Sequence, residues 1–292
     1  MKKYIVITLC INTMLCGMEN TTQIPVIHTV CEWTKNDFDQ GYNPLIIAHY
    51  HIINKYPLYN LTVFNTTGNK GFAAHLAKTA QLVHSVDEID SNDIHETQKK
   101  YAHIVNLIFI PGAQKEKYDL LSTFQLPSEK SQLRNDLSKY YLCLKPKGEI
   151  FSTIVIQNNE DSFEQINAQE IYTTIYNSMP SKQQKNFDPT IYSKEKFITQ
   201  EILDTVITET GYEIASQTNR FFDFYIKDIL AFKTLLKMGF TEHILSKFEL
   251  SSEKCKFFCK KFVTSVLAQL KKNENNDFIY PYNITEIHIR KK

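Results

Sequence analysis

The chain has 292 residues, of which 42% are hydrophobic, with 33 basic and 32 acidic side chains. This composition is typical of a globular protein with a substantial core and excludes a largely disordered chain. A formal net charge of +1 gives no overall attraction for nucleic acid, so we expect no nucleic-acid partner.

The N-terminal residues 1–17 have the pattern of a secretory signal peptide. Lys2 and Lys3 precede a largely apolar run from Tyr4 to Leu15, and small residues follow it. We predict that this segment is removed and that the mature protein is secreted or periplasmic; a buried first element would instead indicate a cytoplasmic protein. No other stretch is apolar and long enough to span a bilayer, so we expect no stable membrane insertion after signal removal.

The cysteines and histidines do not predict a metal centre. Beyond the predicted signal the chain keeps four cysteines, Cys31, Cys143, Cys255 and Cys259. Four scattered thiols do not form a disulfide scaffold. Cys255 and Cys259 lie four residues apart on one predicted helical face, which is at most half of a metal site. The nine histidines show no ligand spacing, and we expect no metal.

A helix and then a strand, turn and helix come first in the mature chain. Apolar residues recur at helical spacing over 43–56, and Pro57 ends the pattern. A short β-branched run at 61–64 leads into a glycine-containing turn at 66–71 and a helix over 72–80. This order is typical of the nucleotide-binding edge of a wound sheet.

Asp87 ends the second apolar run, 81–86, about 20 residues beyond the glycine turn, where such folds place a ribose ligand. Strands and helices then continue to alternate. Further helices are predicted over 90–101, 129–144, 199–210, 225–237 and 252–271, and further strands over 104–110, 119–124, 149–156, 213–217 and 284–289. Continuous apolar strands between amphipathic helices predict a parallel sheet that is buried on both faces.

Two segments differ in character from this alternating pattern. Residues 161–197 are polar, aromatic and helical in character, so we expect a cap insertion over one edge of the sheet. Residues 18–41 are expected to form an N-terminal cover segment, with Trp33 closing over the site. The remaining chain, 42–292, is then one domain that carries the cap.

From residue 42 onward the chain resembles the class I S-adenosylmethionine-dependent methyltransferases. The resemblance rests on the order and spacing of VFNTTGNKGFAAHL at 63–76, SVD at 85–87, YDLLS at 118–122, YLCLKPKGE at 141–149 and TGYE at 210–213. It implies a Rossmann-like α/β fold, with a seven-stranded, mostly parallel sheet, helices on both faces and a helical cap. It also implies S-adenosylmethionine as the cofactor.

The resemblance further implies a set of cofactor-binding residues at the strand ends: Asn65, Thr66, Gly68, Asp87, Gly112, Ala113 and Phe124. Gly68 would let the backbone approach the methionine part of the cofactor, and Asp87 would accept hydrogen bonds from the ribose hydroxyls. The sulfonium is already activated, so catalysis is mostly placement of the acceptor in a site that excludes water. The family pattern therefore assigns no catalytic residue.

Four positions depart from the family pattern. Phe64 stands where many members carry an acid, Thr66 and Lys70 replace loop glycines, and Gly112 stands where an Asp often receives the adenine amino group. Each lost hydrogen bond weakens binding by about 1 kcal/mol or somewhat more. The departures together predict a weakened cofactor site.

Two functions of different classes follow from these features. The first is a methyltransferase that acts on a small-molecule acceptor, since a cap favours small acceptors. The alternative is a catalytically inactive, methyltransferase-like binding or interaction protein, possibly exported, which would account for the degenerate motifs. A third interpretation is a nicotinamide-dependent oxidoreductase, but the segment after 145–148 and the final strand fit a methyltransferase better. Binding of S-adenosylmethionine to the isolated protein discriminates between them.

Overall fold

The computed structural model describes residues 24–86, 91–127, 129–154, 156, 173, 176–177, 181–184, 198–243, 245 and 251–292. The predicted signal peptide, Asp87 and most of the predicted cap insertion lie outside the described residues. The described chain alternates between strands and helices from residue 26 onward, in agreement with the α/β pattern of the sequence.

The strands are β1 (Val26–Trp33), β2 (Thr62–Asn65), β3 (Leu82–Val86), β4 (Leu107–Ile110), β5 (Tyr118–Ser122), β6 (Leu144–Ile154), β7 (Tyr212–Ile226), β8 (Lys271–Lys272) and β9 (Phe278–Lys291). They form one sheet in the order β1-β7-β9-β6-β5-β2-β3-β4, with β8 paired to β9. Strand β9 runs antiparallel to β6, β7 and β8, and the other pairs are parallel. The prediction of a mostly parallel α/β sheet is confirmed, but the described residues contribute nine strands to the sheet in place of the seven predicted.

The helices are α1 (Lys35–Asp39), α2 (Pro44–Ile53), α3 (Lys70–Leu76), α4 (Ser91–Lys100), α5 (Lys130–Cys143), α6 (Ser181–Gln184), α7 (Gln200–Glu209), α8 (Ile229–His243) and α9 (Ser252–Gln269). Side-chain caps fix where several of them begin. Asn43 caps α2, which has Pro44 in its first turn, and Thr199 and Ser251 cap α7 and α9. These caps satisfy amide groups that the first helical turn leaves unpaired.

The sheet separates two hydrophobic cores. One core lies under α2, α3 and α8 and includes Phe72, Phe151 and Phe232. The other lies under α5 and α7 and includes Leu137 and Val206. Burying each such side chain contributes about 1.5–3 kcal/mol, so both helical layers are held firmly to the sheet.

Strand β1 adds an edge to the sheet that the sequence does not predict. It pairs in parallel with β7, and only Cys31 and Trp33 of its residues are buried. The Trp33 indole donates to the carbonyl oxygen of Tyr42 at 2.8 Å and meets the ring of Phe232 edge-on, with 5.8 Å between centroids. Four strands separate β1 from β2, so Trp33 belongs to the core at the far edge and does not close over the predicted site.

The strand order reverses at β2. From β2 the chain goes outward to β3 and β4, and then returns to the other side of β2 to form β5. In open α/β sheets, ligands bind outside the carboxyl ends of the strands at such a switch point. We therefore expect a ligand to bind at the carboxyl ends of β2 and β5.

Candidate functional site at the carboxyl ends of β2 and β5

The ends of β2 and β5 lie side by side. Asn65, the last residue of β2, pairs with Ser122, the last residue of β5. The Thr66 amide donates to the Ser122 carbonyl oxygen at 3.0 Å. Two residues of the predicted cofactor set, Asn65 and Thr66, are thus placed at the switch point.

The loop from β2 to α3 is held by its own side chains. Asn65 Oδ1 accepts from the Thr67 amide at 3.4 Å, and Thr67 Oγ1 accepts from the Asn69 amide at 3.2 Å. Asn69 Oδ1 accepts from the Phe72 amide at 2.7 Å and caps α3. Gly68 has a φ of +65°, a left-handed conformation that favours glycine.

The Lys70 ammonium group donates to Thr97 Oγ1 of α4 at 2.7 Å. In the sequence, Lys70 stands where the family pattern has a loop glycine. Its observed partner ties the first turn of α3 to α4, so Lys70 supports the loop from the side.

A row of side chains in register crosses the sheet below this loop. Its members are neighbours on adjacent strands, so their side chains point to the same face of the sheet. In order across the sheet they are Ser85, Asn65, Ser122, Phe151 and His288. Asn65 Nδ2 donates to Ser85 Oγ at 3.0 Å. The Ser122 hydroxyl is buried and has no hydrogen-bond partner among the described residues.

His49 lies over this row from helix α2. Its imidazole is fully buried and meets the rings of Phe72, Phe124 and Phe151 at centroid distances of 5.3, 5.0 and 5.4 Å. Neither ring nitrogen has a hydrogen-bond partner within the described part of the chain. Burial lowers the pKa of His49 to about 3, although Glu286 opposes the shift. The imidazole is therefore neutral and can both donate and accept a hydrogen bond.

No motif in the sequence gives His49 a functional role. The residue fits the apolar face of α2 as one more buried position. The available signal was a polar side chain among apolar ones on a helix that directly precedes β2. Phe124, by contrast, was in the predicted cofactor set, and its ring forms one wall around His49.

Charged residues continue the row towards β7 and β9. Arg220 forms a buried ion pair with Glu286, and His288 Nε2 lies 3.3 Å from Glu286 Oε1. Burial alone would raise the pKa of Glu286, but the contacts with His288 and Arg220 outweigh it and lower the pKa. Glu286 is therefore held as a carboxylate near His49.

The ends of β3 and β4 form the other side of the site. Strand β3 ends at Val86, and Asp87 lies outside the described residues. Gly112 and Ala113 are exposed beyond β4, and no atom of the described residues other than its two chain neighbours lies within 4 Å of where a Cβ on Gly112 would stand. The Gln114 amide donates to the Tyr118 hydroxyl oxygen at 3.3 Å, which anchors this loop to β5.

Phe64, which replaces the acid of many family members, has a structural role on the opposite face of the sheet. Its ring stacks on Tyr118 with 4.8 Å between centroids and an interplanar angle of 22°. Tyr118 is completely buried. The position of Phe64 is therefore part of the second core, and an aromatic residue there stabilises the end of β2 by packing.

A separate groove of about 850 Å³ lies on the outer side of α2 and α3 and extends to β1 and α1. At its base Cys31 Sγ and His51 Nε2 lie 3.3 Å apart. Burial raises the pKa of Cys31 to about 12, so this cysteine is a neutral thiol and a poor nucleophile. The groove reaches Gly71 in the first turn of α3 but does not contain the buried row.

The described residues contain no group of three or more His, Cys, Asp or Glu side chains placed to hold a metal ion. They also contain no helix with the length and apolar character needed to cross a membrane.

No protein-family model and no curated protein matches the chain. Among solved structures, the chain is similar to a putative methyltransferase from Bacillus halodurans, with 12% identity and a TM-score of 0.47 over 85% of this chain and 98% of that one. It is similar to a putative sarcosine dimethylglycine methyltransferase from Galdieria sulphuraria, with 12% identity and a TM-score of 0.44 over 84% of each chain. A third is phosphoethanolamine N-methyltransferase 2 of Haemonchus contortus, solved with phosphomonomethylethanolamine and S-adenosylhomocysteine, with 12% identity and a TM-score of 0.45 over 87% of this chain and 56% of that one.

Proposed function

We propose that the protein binds S-adenosylmethionine at the carboxyl ends of β2 and β5 and methylates a small-molecule acceptor. The observation that carries this proposal is the switch point itself, where Thr66 and Ser122 meet below a loop that turns at Gly68. The resemblance of the sequence to class I methyltransferases implies cofactor-binding residues at this same edge of the sheet.

The residues at this edge fit a polar ligand with an adenosine part. The Ser122 hydroxyl is buried without a partner in the described structure, and such a group is stabilised when a ligand supplies the hydrogen bond. Gly68 allows close backbone approach, and Asp87 would hold the ribose. Gly112 and Ala113 would lie beside the adenine, where the open space at Gly112 admits a flat ring.

The acceptor would bind between the cofactor and helix α2. Phe124 provides an apolar wall there, and His49 provides a polar group in contact with that wall. S-adenosylmethionine, when bound, supplies an electrophilic methyl group. The neutral His49 imidazole would orient an O–H or N–H acceptor by accepting its hydrogen bond at a ring nitrogen. The three phenylalanine rings around His49 exclude water from that position.

Titration calorimetry with S-adenosylmethionine and S-adenosylhomocysteine tests the proposal. We expect both ligands to bind the purified protein, and Asp87→Ala to weaken binding at least tenfold, or about 1.4 kcal/mol. Asp39→Ala is the matched control, because Asp39 is an exposed carboxylate on α1 that pairs with Lys35. Its affinity should equal that of the wild type.

The same titration separates this proposal from the alternative of an inactive binding protein. Absence of heat with either ligand at millimolar concentration would overturn the cofactor assignment and favour the alternative. Unchanged affinity of the Asp87→Ala variant would remove the predicted ribose site while leaving the class of ligand intact.

A further inference from the structure

Within the described part of the chain, helix α9 packs against the rest of the protein with one face. Phe258, Val263 and Val266 are buried on that face. Phe262 stacks on Phe240 of α8, with 4.3 Å between centroids and an interplanar angle of 9°. This stacking fixes the rotation of α9 about its axis, so the opposite face is held towards solvent.

The solvent face of α9 carries an aromatic side chain surrounded by lysines. Phe257 is 62% exposed. Lys254, Lys260 and Lys261 lie three or four residues from it and share its face, since residues at these spacings are neighbours on a helix. None of these three ammonium groups forms an ion pair with any residue that the structure describes. The acid on this face is Glu253.

The charge of this segment contrasts with that of the whole chain. Residues 251–272 contain six lysines and one acid, for a segment charge of +5, whereas the chain as a whole carries +1. The neighbouring helix α8 also exposes apolar side chains, with Leu230 71% and Met238 48% exposed. Basic charge is therefore concentrated on residues 251–272, and both helices of the α8–α9 pair expose apolar side chains.

We propose that the α8–α9 pair is a docking surface for an anionic lipid bilayer, with Phe257 in the interfacial region and the α9 lysines over the headgroups. Helices that lie on membranes combine lysines with aromatic or aliphatic groups of this kind. Clustered lysines are attracted by the negative potential of an anionic leaflet. An exposed Phe ring inside the basic stripe favours lipid over a nucleic-acid backbone, which offers it no apolar environment.

Flotation of the full-length protein with vesicles tests this surface. We expect binding to vesicles of phosphatidylcholine with phosphatidylserine and at least tenfold weaker binding to phosphatidylcholine alone. Raising the salt concentration from about 0.1 M to about 1 M should also release the protein, because the Debye length falls from about 10 Å to about 3 Å. No flotation with the anionic vesicles would overturn the proposal.

Variants locate the contact. The triple variant Lys254→Ala, Lys260→Ala, Lys261→Ala should lose at least tenfold in binding, and Phe257→Ser should lose several-fold. The matched charge control is a triple alanine variant of the exposed lysines Lys99, Lys130 and Lys139 on α4 and α5. The matched apolar control is Leu142→Ser, since Leu142 is 56% exposed on α5. Equal losses in the test and control variants would overturn the proposal.

The Phe257→Trp variant gives a direct readout of lipid contact that does not depend on affinity. Trp33 is the chain's one tryptophan and is fully buried, so a change in emission on adding vesicles reports position 257. We expect a blue shift with anionic vesicles and none with duplex DNA. An equal response to DNA, or binding to DNA that survives Phe257→Ser, would show a general polyanion surface and contradict the proposal.

Discussion

The His49 imidazole meets the ring of Phe124 edge-on, with 5.0 Å between centroids and an interplanar angle of 80°. This contact joins helix α2 to the segment that follows β5. It places beside the switch point of the sheet a polar side chain that has no hydrogen-bond partner among the residues the structure describes. Burying a polar group without a partner destabilises the folded state, so the stability and the function of this site oppose each other.

His49→Phe should therefore raise the free energy of unfolding. The variant keeps an aromatic ring at this position and removes two nitrogens that have no hydrogen-bond partner in the described structure, a change we expect to stabilise the protein by about 1–3 kcal/mol. Denaturant unfolding of the two proteins measures the difference. The same variant should retain S-adenosylhomocysteine binding and lose acceptor methylation. A destabilised His49→Phe protein would show that His49 has a partner we have not identified.

The pH dependence of stability tests the same residue. Burial lowers the pKa of His49 from 6.5 to about 3. Between those values the unfolded chain binds a proton that the folded protein does not, so this residue's contribution to stability falls as the pH falls. From about pH 7 to about pH 5 the advantage of His49→Phe over the wild type should grow by about 2 kcal/mol. An advantage that is constant with pH would contradict a neutral, buried His49.

Gly68 is predicted to be essential for the shape of the loop after β2. Its φ of +65° costs other residues about 1–2 kcal/mol. Gly68→Ala should lower the free energy of unfolding by that amount and weaken cofactor binding. Gly68→Asn should lose less stability, since Asn tolerates this conformation. Gly239→Ala is the contrasting control, because it lies in α8 with open space around it and should stabilise the helix.

The buried pair of Arg220 and Glu286 should show strong energetic coupling. Their side chains are 8% and 12% exposed. Removing one partner leaves a buried charge uncompensated, so Arg220→Met or Glu286→Gln alone should cost about 3–5 kcal/mol. The double variant should lose far less than the sum of the two, which a double-mutant cycle measures. Additive losses would show that the two charges do not interact.

Much of the fold could be predicted because its signals are local. Continuous apolar runs marked the strands near β2, and helical spacing marked α2 and α5. Strand β1 gave no such signal, since at the sheet edge only Cys31 and Trp33 are buried. The location of Asn65 and Thr66 at the end of β2 was predictable from the short apolar run before them, and their role in cofactor binding stays a prediction. The surroundings of His49 could not be predicted, because they bring together α2, α3, β6 and the segment after β5.

Hydrogen–deuterium exchange with and without S-adenosylhomocysteine tests most directly where the cofactor binds. We predict slower exchange in peptides covering 62–70 and 118–126, on the two sides of the switch point, with little change in β1 and α1. Protection of β1, α1 and the outer turns of α2 would place the ligand in the separate groove. That result, or no protection at residues 62–70 in protein that binds the ligand, would contradict cofactor binding at the carboxyl ends of β2 and β5.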